Sequence, residues 1–193
     1  MATTTPGAVP PPDAAALLKP TPDDMGIGKE DAPVTIIEYA SLTCPHCARF
    51  ATETLPQLQK EYIDAGKVRL IYRDFPLNGL ALRASILALC AGKERYFGFV
   101  ETLFQSQATW EEAEDPEAAL MNVAKLGGIG KDQYDHCMAD DSLAQRVTKS
   151  RVDAEKVLEV ESTPTFFING KKFAGARPLE DFEAAINPLL PKP

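Results

Sequence analysis

Cys44-Pro45-His46-Cys47 is the stretch of this sequence with the means to do chemistry. Two thiols two residues apart can close a redox disulfide or supply half of a metal site. An apolar run, Val34 to Ala40, leads in, and a helical pattern runs out to about Asp64, so the pair sits where a strand hands over to a helix. A structural zinc takes four N/S ligands, commonly as two close pairs. Here Cys90 and Cys137 stand apart, His46 lies inside the first pair, and His136 beside Cys137 reads as a helix-surface residue. The expectation is therefore redox chemistry between the sulfurs, with no metal and no other cofactor.

Pro45 suits the first position of a helix, which makes Cys44 its N-cap. A thiolate there faces the free N–H groups of the first turn and the positive end of the helix dipole, so its pKa is expected to fall. His46 offers a further hydrogen bond or positive charge. Cys47, one turn in, is expected to be more buried and more ordinary in acidity. Cys44 is then the attacking sulfur and Cys47 the resolving one. Stabilising the thiolate stabilises the reduced protein relative to the disulfide, so the disulfide is expected to be a strong oxidant.

The elements that must position this pair can be read outward from it. Val34–Ala40 is apolar on both faces, as a central strand covered on both sides should be. Glu38 shares a face with Val34, Ile36 and Ala40. Read alone, it is either a carboxylate at a frayed strand end or a functional acid. After the cysteines, Cys47, Ala51, Leu55, Leu58 and Tyr62 recur at helical steps, with a kink expected at Pro56. Gly66 stops the helix and Val68 to Phe75 returns as a strand, which makes a right-handed βαβ unit with parallel strands.

From Phe75 to Pro164 the pattern is helical for nearly 90 residues, more than a single crossover needs. Cys90 and Cys137 fall on separate helices of this insertion and read either as small buried hydrophobes or as a second disulfide. Thr165 to Ile168, Asn169-Gly170 and Lys171 to Ala174 form a hairpin pattern, since a type I′ turn needs φ > 0 at both central positions. Leu179, Phe182, Ile186 and Leu190 close the chain with an amphipathic helix.

Cys-Pro-His-Cys after a strand, a helical insertion, and Thr163-Pro164 before the hairpin together resemble a thioredoxin-fold thiol oxidase of the DsbA family, over roughly residues 30 to 190. The resemblance implies an α/β thioredoxin fold, a mixed sheet flanked by helices, with an inserted helical subdomain. Residues 1–22 are expected to be a flexible Pro-rich tail, 23–75 and 161–193 the two parts of the thioredoxin fold, and 76–160 the insertion. It also implies that Pro164 is cis and beside the redox pair, that Thr163 helps dock substrate backbone, and that Glu38 is the buried acid under the second cysteine, serving as a proton relay. Some alphaproteobacterial members carry a second disulfide, and Cys90–Cys137 matches it. Implied partners are reduced exported proteins and a membrane quinone-linked oxidase of the DsbB type.

Composition narrows the classes. A chain of 193 residues with 45% hydrophobic and 25% charged residues can bury a full core. The net charge of −8 argues against a nucleic-acid partner, and no apolar run approaches the roughly 20 residues that cross a bilayer. The first 22 residues hold six of the 16 prolines and show no signal-peptide pattern, which leaves a cytosolic protein or an exported one whose leader is not part of this sequence. A second disulfide would favour an oxidising compartment, so we expect a periplasmic monomer that donates the Cys44–Cys47 disulfide. Two other readings are a disulfide isomerase or reductase, and a redox-inert thioredoxin-fold binding module.

Overall fold

Residues 13–192 are described by the structure, a computed structural model. Val34–Ala40 forms β2, the centre of a five-stranded sheet. On one side it pairs in parallel with β3 (Val68–Asp74), from Val34 opposite Val68 to Ala40 opposite Asp74. On the other it pairs antiparallel with β4 (Thr165–Ile168), which turns into β5 (Lys171–Ala174). Asn169 and Gly170 take φ of 45° and 83°, both positive as a type I′ turn requires. A short strand β1 (Met25–Ile27) adds antiparallel to β3, giving the order β1-β3-β2-β4-β5. At three residues, one of them Gly26, β1 is too short for its periodicity to be legible in the sequence.

Residues 13–22, expected as part of a flexible tail, are docked instead. A turn of helix α1 (Ala14–Leu17) is capped by the Asp13 carboxylate, which accepts from Ala16 N–H at 2.6 Å. The Arg73 guanidinium donates to the carbonyls of Leu17 and Lys19 and forms a two-pronged pair with Asp24 at 2.8 Å per contact. Leu17 and Leu18 pack against the sheet beside Phe167 and Leu158. Composition showed few core-forming residues here, but the anchor is a cation 49 residues on from Asp24. Residues 1–12 of the expected tail lie outside the described residues.

The helix from the redox motif begins as α2 (Pro45–Arg49), continues through a wide π turn (Phe50–Thr54) into α3 (Leu55–Leu58), and ends in a second π turn (Gln59–Ile63). Pro56 lacks the N–H that would bond four residues back, and the wide turn before it takes up the mismatch in place of a break. Phe50 fastens this helix to the sheet: its ring lies 4.7 Å from that of Phe166 and 5.4 Å from that of Phe182. Each such pair adds about 1 kcal/mol beyond the burial itself.

Six helices connect β3 to β4: α4 (Gly79–Cys90), α5 (Tyr96–Gln105), α6 (Gln107–Glu111), α7 (Pro116–Leu126), α8 (Lys131–Met138) and α9 (Asp141–Val157). Their apolar faces share one core with Ala40, Leu42, Cys44 and Cys47, so the redox pair sits where this insertion meets the sheet. The closing helix, α10 (Leu179–Ile186), packs Phe182 and Ile186 on the opposite end of the same sheet face. Among the described residues no helix is long and apolar enough to cross a membrane.

Candidate active site

The end of β2 delivers the chain to Ser41, and the next turn places Cys44 as the N-cap of α2 with Pro45 in its first turn. Cys44 Sγ accepts from Cys47 N–H at 3.4 Å and lies 3.4 Å from the carbonyl oxygen of Thr163. Cys44 is 4% exposed and Cys47 is fully buried, so an incoming sulfur meets Cys44 first. Both are free thiols in this structure.

The two sulfurs differ in acidity because they differ in surroundings. Cys44 is held down at about 5 from an ordinary 9.0, chiefly by the Cys47 thiol donating to it. Burial opposes this, and the Thr163 side chain and the backbone N–H groups of Cys47 and His46 add to it. Cys47 is pushed far up, first by burial, then by the hydrogen bond it gives Cys44 and the negative fields of Cys44 and Glu38. At neutral pH the reduced pair is a thiolate donated to by a thiol. The sequence expectation of an ordinary Cys47 is corrected here: full burial beside two acids makes it a very weak acid.

Glu38 lies inside the central strand, 2% exposed, opposite Tyr72 on one side and Phe166 on the other. It is no frayed end. Its carboxyl is raised to about 8, first by burial and then by the Cys44 charge, and its Oε1 has no hydrogen-bond partner among the described residues. A cavity of about 220 Å³ opens beside it, lined also by Tyr72, Gln59 and Glu101.

The carbonyl of Thr163, 119 residues from the nucleophile, lies against Cys44 Sγ, and the bond between Thr163 and Pro164 is cis. Among the described residues the His46 imidazole makes no hydrogen bond to Cys44 Sγ. It is exposed, with Nδ1 3.4 Å from Arg49 Nη2, and it is the His46 backbone that reaches the sulfur. Starting a helix with its N–H groups toward Cys44 turns the ring outward. Cys90 of α4 and Cys137 of α8 are joined by a disulfide away from the redox pair, closing a separation of 47 residues.

Sequence reasoning missed the polar fastenings of the loop. Ser41 and Thr43 hydroxyls lie 3.3 Å apart, Asn78 Nδ2 donates to Thr43 Oγ1 at 3.2 Å, and the buried Gln107 amide donates to the carbonyls of Leu42 and Cys44. None of these carries a local signal, since each is a single amide or hydroxyl whose partner is distant in sequence.

The family model described as Thioredoxin matches residues 20–188. A Rickettsia bellii protein, provisionally named protein-disulfide oxidoreductase, is 32% identical over 149 residues, 77% of this chain and 58% of its own length. The chain thus spans little more than half of that relative. The Bacillus subtilis protein named disulfide bond formation protein D is 29% identical over 85% of this chain and 76% of its own length. The crystal structure of Wolbachia pipientis alpha-DsbA1 superposes with a TM-score of 0.84 at 33% identity, covering 90% of this chain and 94% of that one.

Proposed function

We propose that this chain, which belongs to the thioredoxin family and within it to the DsbA-like protein-disulfide oxidoreductases, is a dithiol oxidase that passes a Cys44–Cys47 disulfide to reduced exported proteins in the periplasm. The observation that carries this reading is the split between the sulfurs: an acidic, outward Cys44 and a buried Cys47 that resists ionisation.

A substrate thiolate attacks Cys44 Sγ of the disulfide, a mixed disulfide forms, and Cys47 leaves with the electron pair. Because Cys47 is a poor anion, it needs a proton as it leaves, and the Glu38 carboxyl, kept protonated at neutral pH by a value raised to about 8, is the donor. The cavity beside Glu38, with the unpartnered Glu38 Oε1 and Tyr72 OH on its wall, is a route by which water restores that proton. A second substrate thiolate then attacks its own sulfur in the mixed disulfide and expels Cys44 as the stable thiolate. The substrate has lost two electrons and two protons, and the protein holds the electrons in its dithiol. Thr163 and Pro164 supply the backbone edge against which the substrate segment lies. A membrane quinone-linked oxidase of the DsbB type takes the two electrons and restores the disulfide, and the protein works as a monomer.

The test is oxidation of a reduced, unfolded disulfide-containing protein, together with the equilibrium of the pair against a glutathione series. Wild type is expected to transfer its disulfide stoichiometrically and to equilibrate as an oxidant, and Cys44→Ser to do neither. Retained oxidation in Cys44→Ser would sink the assignment. A strongly reducing equilibrium would move it to a reductase.

A further inference from the structure

The inserted helices have no part in the exchange steps, yet their side chains hold the loop that presents the nucleophile. Gln107, the first residue of α6, is 9% exposed, and its Nε2 donates to Leu42 O at 2.7 Å and to Cys44 O at 3.1 Å. One amide therefore grips the carbonyls on both sides of Thr43. Cys44 O already accepts from Ala48 N–H at 3.1 Å in the first turn of α2, so the second donor is not required to satisfy it and acts instead on its position. Asn78 makes a second fastening from the same insertion. Its Nδ2 holds Thr43 Oγ1, while its Oδ1 caps α4 by accepting from Ala81 N–H at 2.8 Å. Ser41 Oγ, 3.3 Å from Thr43 Oγ1, accepts from Leu77 N–H at 3.2 Å. Residues 41 to 44 are thus tied at each position to the insertion or to the turn that opens it.

We propose that Gln107 is a positioning residue for the redox pair, clamping Leu42 and Cys44 so that Cys44 Sγ stays between the α2 N-terminus and Thr163, and that the oxidising strength of the pair is therefore set in part by the helical insertion. This rests on the disulfide-exchange reading above. The physical reason is the length of the contact being held. The bond that Cys44 Sγ accepts from Cys47 N–H is already 3.4 Å long, so a small drift of the loop weakens the contact that stabilises the thiolate. The reduced state would lose stabilisation and the disulfide would lose oxidising strength, while the sulfurs themselves stay unaltered.

The experiment compares wild type, Gln107→Met and Trp110→Phe by thiolate absorbance against pH and by equilibration with glutathione. Methionine keeps the length and fill of glutamine but cannot donate. Trp110→Phe removes a buried donor from the same helix without touching the loop, and so reports what general loosening of α6 does. In Gln107→Met the Cys44 midpoint is expected to rise by about one pH unit and the glutathione equilibrium constant to fall by about tenfold. Trp110→Phe is expected to leave both at their wild-type values whatever happens to its melting temperature. The proposal is overturned if Gln107→Met keeps the wild-type midpoint and equilibrium, or if Trp110→Phe moves them equally. Should Gln107→Met not fold, Gln107→Leu also removes the donor while filling most of the same space, and wild-type values there overturn the proposal in the same way. A wild type that shows no acidic thiol and equilibrates as a reductant fails the exchange reading, and the clamp with it. An oxidising wild type with an unmoved Gln107→Met fails the clamp alone.

Discussion

Replacing Cys44 by serine in the fully reduced protein tests the acidity of this sulfur through folding stability. The Cys44 pKa lies at about 5 in the folded chain against an ordinary 9.0. A group whose folded value is lowered contributes stability that is complete above the unfolded value and is lost as pH falls through the folded one, so the window here runs from about 9 down to about 5. Each pH unit inside it is worth about 1.4 kcal/mol. At pH 7, two units above the folded value, the thiolate contributes about 3 kcal/mol, which we reduce to about 2 kcal/mol because a sulfur that must meet a partner at the surface is partly screened. Glu38 works in the opposite direction, since its folded value is raised to about 8, but it is present in both proteins and cancels apart from the share due to Cys44 itself. The assay is guanidinium unfolding under a non-thiol reductant at pH 5, 6, 7 and 8. The stability lost on Cys44→Ser should be smallest at pH 5 and grow steadily to pH 8. A loss independent of pH across that range would refute the acidic Cys44 and, with it, the physical basis for a strong oxidant.

Glu38→Gln should slow the step that expels Cys47 by about 10²-fold at pH 7, seen by rapid mixing with a reduced peptide. Because a raised acid loses stability as pH climbs through its window, the variant should also gain on wild type between pH 4.5 and 8, and parallel stability curves would show that Glu38 does not carry the proton. Replacing Cys90 and Cys137 together by alanine opens a loop of 47 residues and should cost up to ~4 kcal/mol, lowering the melting temperature by about 10 °C while the Cys44 titration stays where it was. An unchanged melting temperature would mean that this bond adds nothing in solution.

Much of the frame is written locally. The β-branched run Val34–Ala40, the stripe from Cys47 to Tyr62 and the Asn169-Gly170 turn each carry their own periodicity or φ requirement, and each forms where that pattern places it. Pro45 alone was enough to make Cys44 an N-cap, because a proline at that position needs no donor and presets φ. Other features depend on partners that no short window contains. Whether Glu38 was a frayed carboxylate or a buried acid was decided by two neighbouring strands, one of them more than 120 residues away, that cover it without offering a hydrogen bond. The docking of residues 13–22 depended on Arg73, and the ring of His46 was free to turn to Arg49 once its N–H was committed to the sulfur. The reach of Gln107 to Leu42 and Cys44 spans 65 and 63 residues and looks, in the sequence, like any glutamine on a short helix. Periodicity records which face of an element is buried, and so the sequence alone determined the elements and the chemistry of the Cys44–Cys47 pair. What lies opposite each buried polar group is a property of packing between distant segments, and only the tertiary structure decided it.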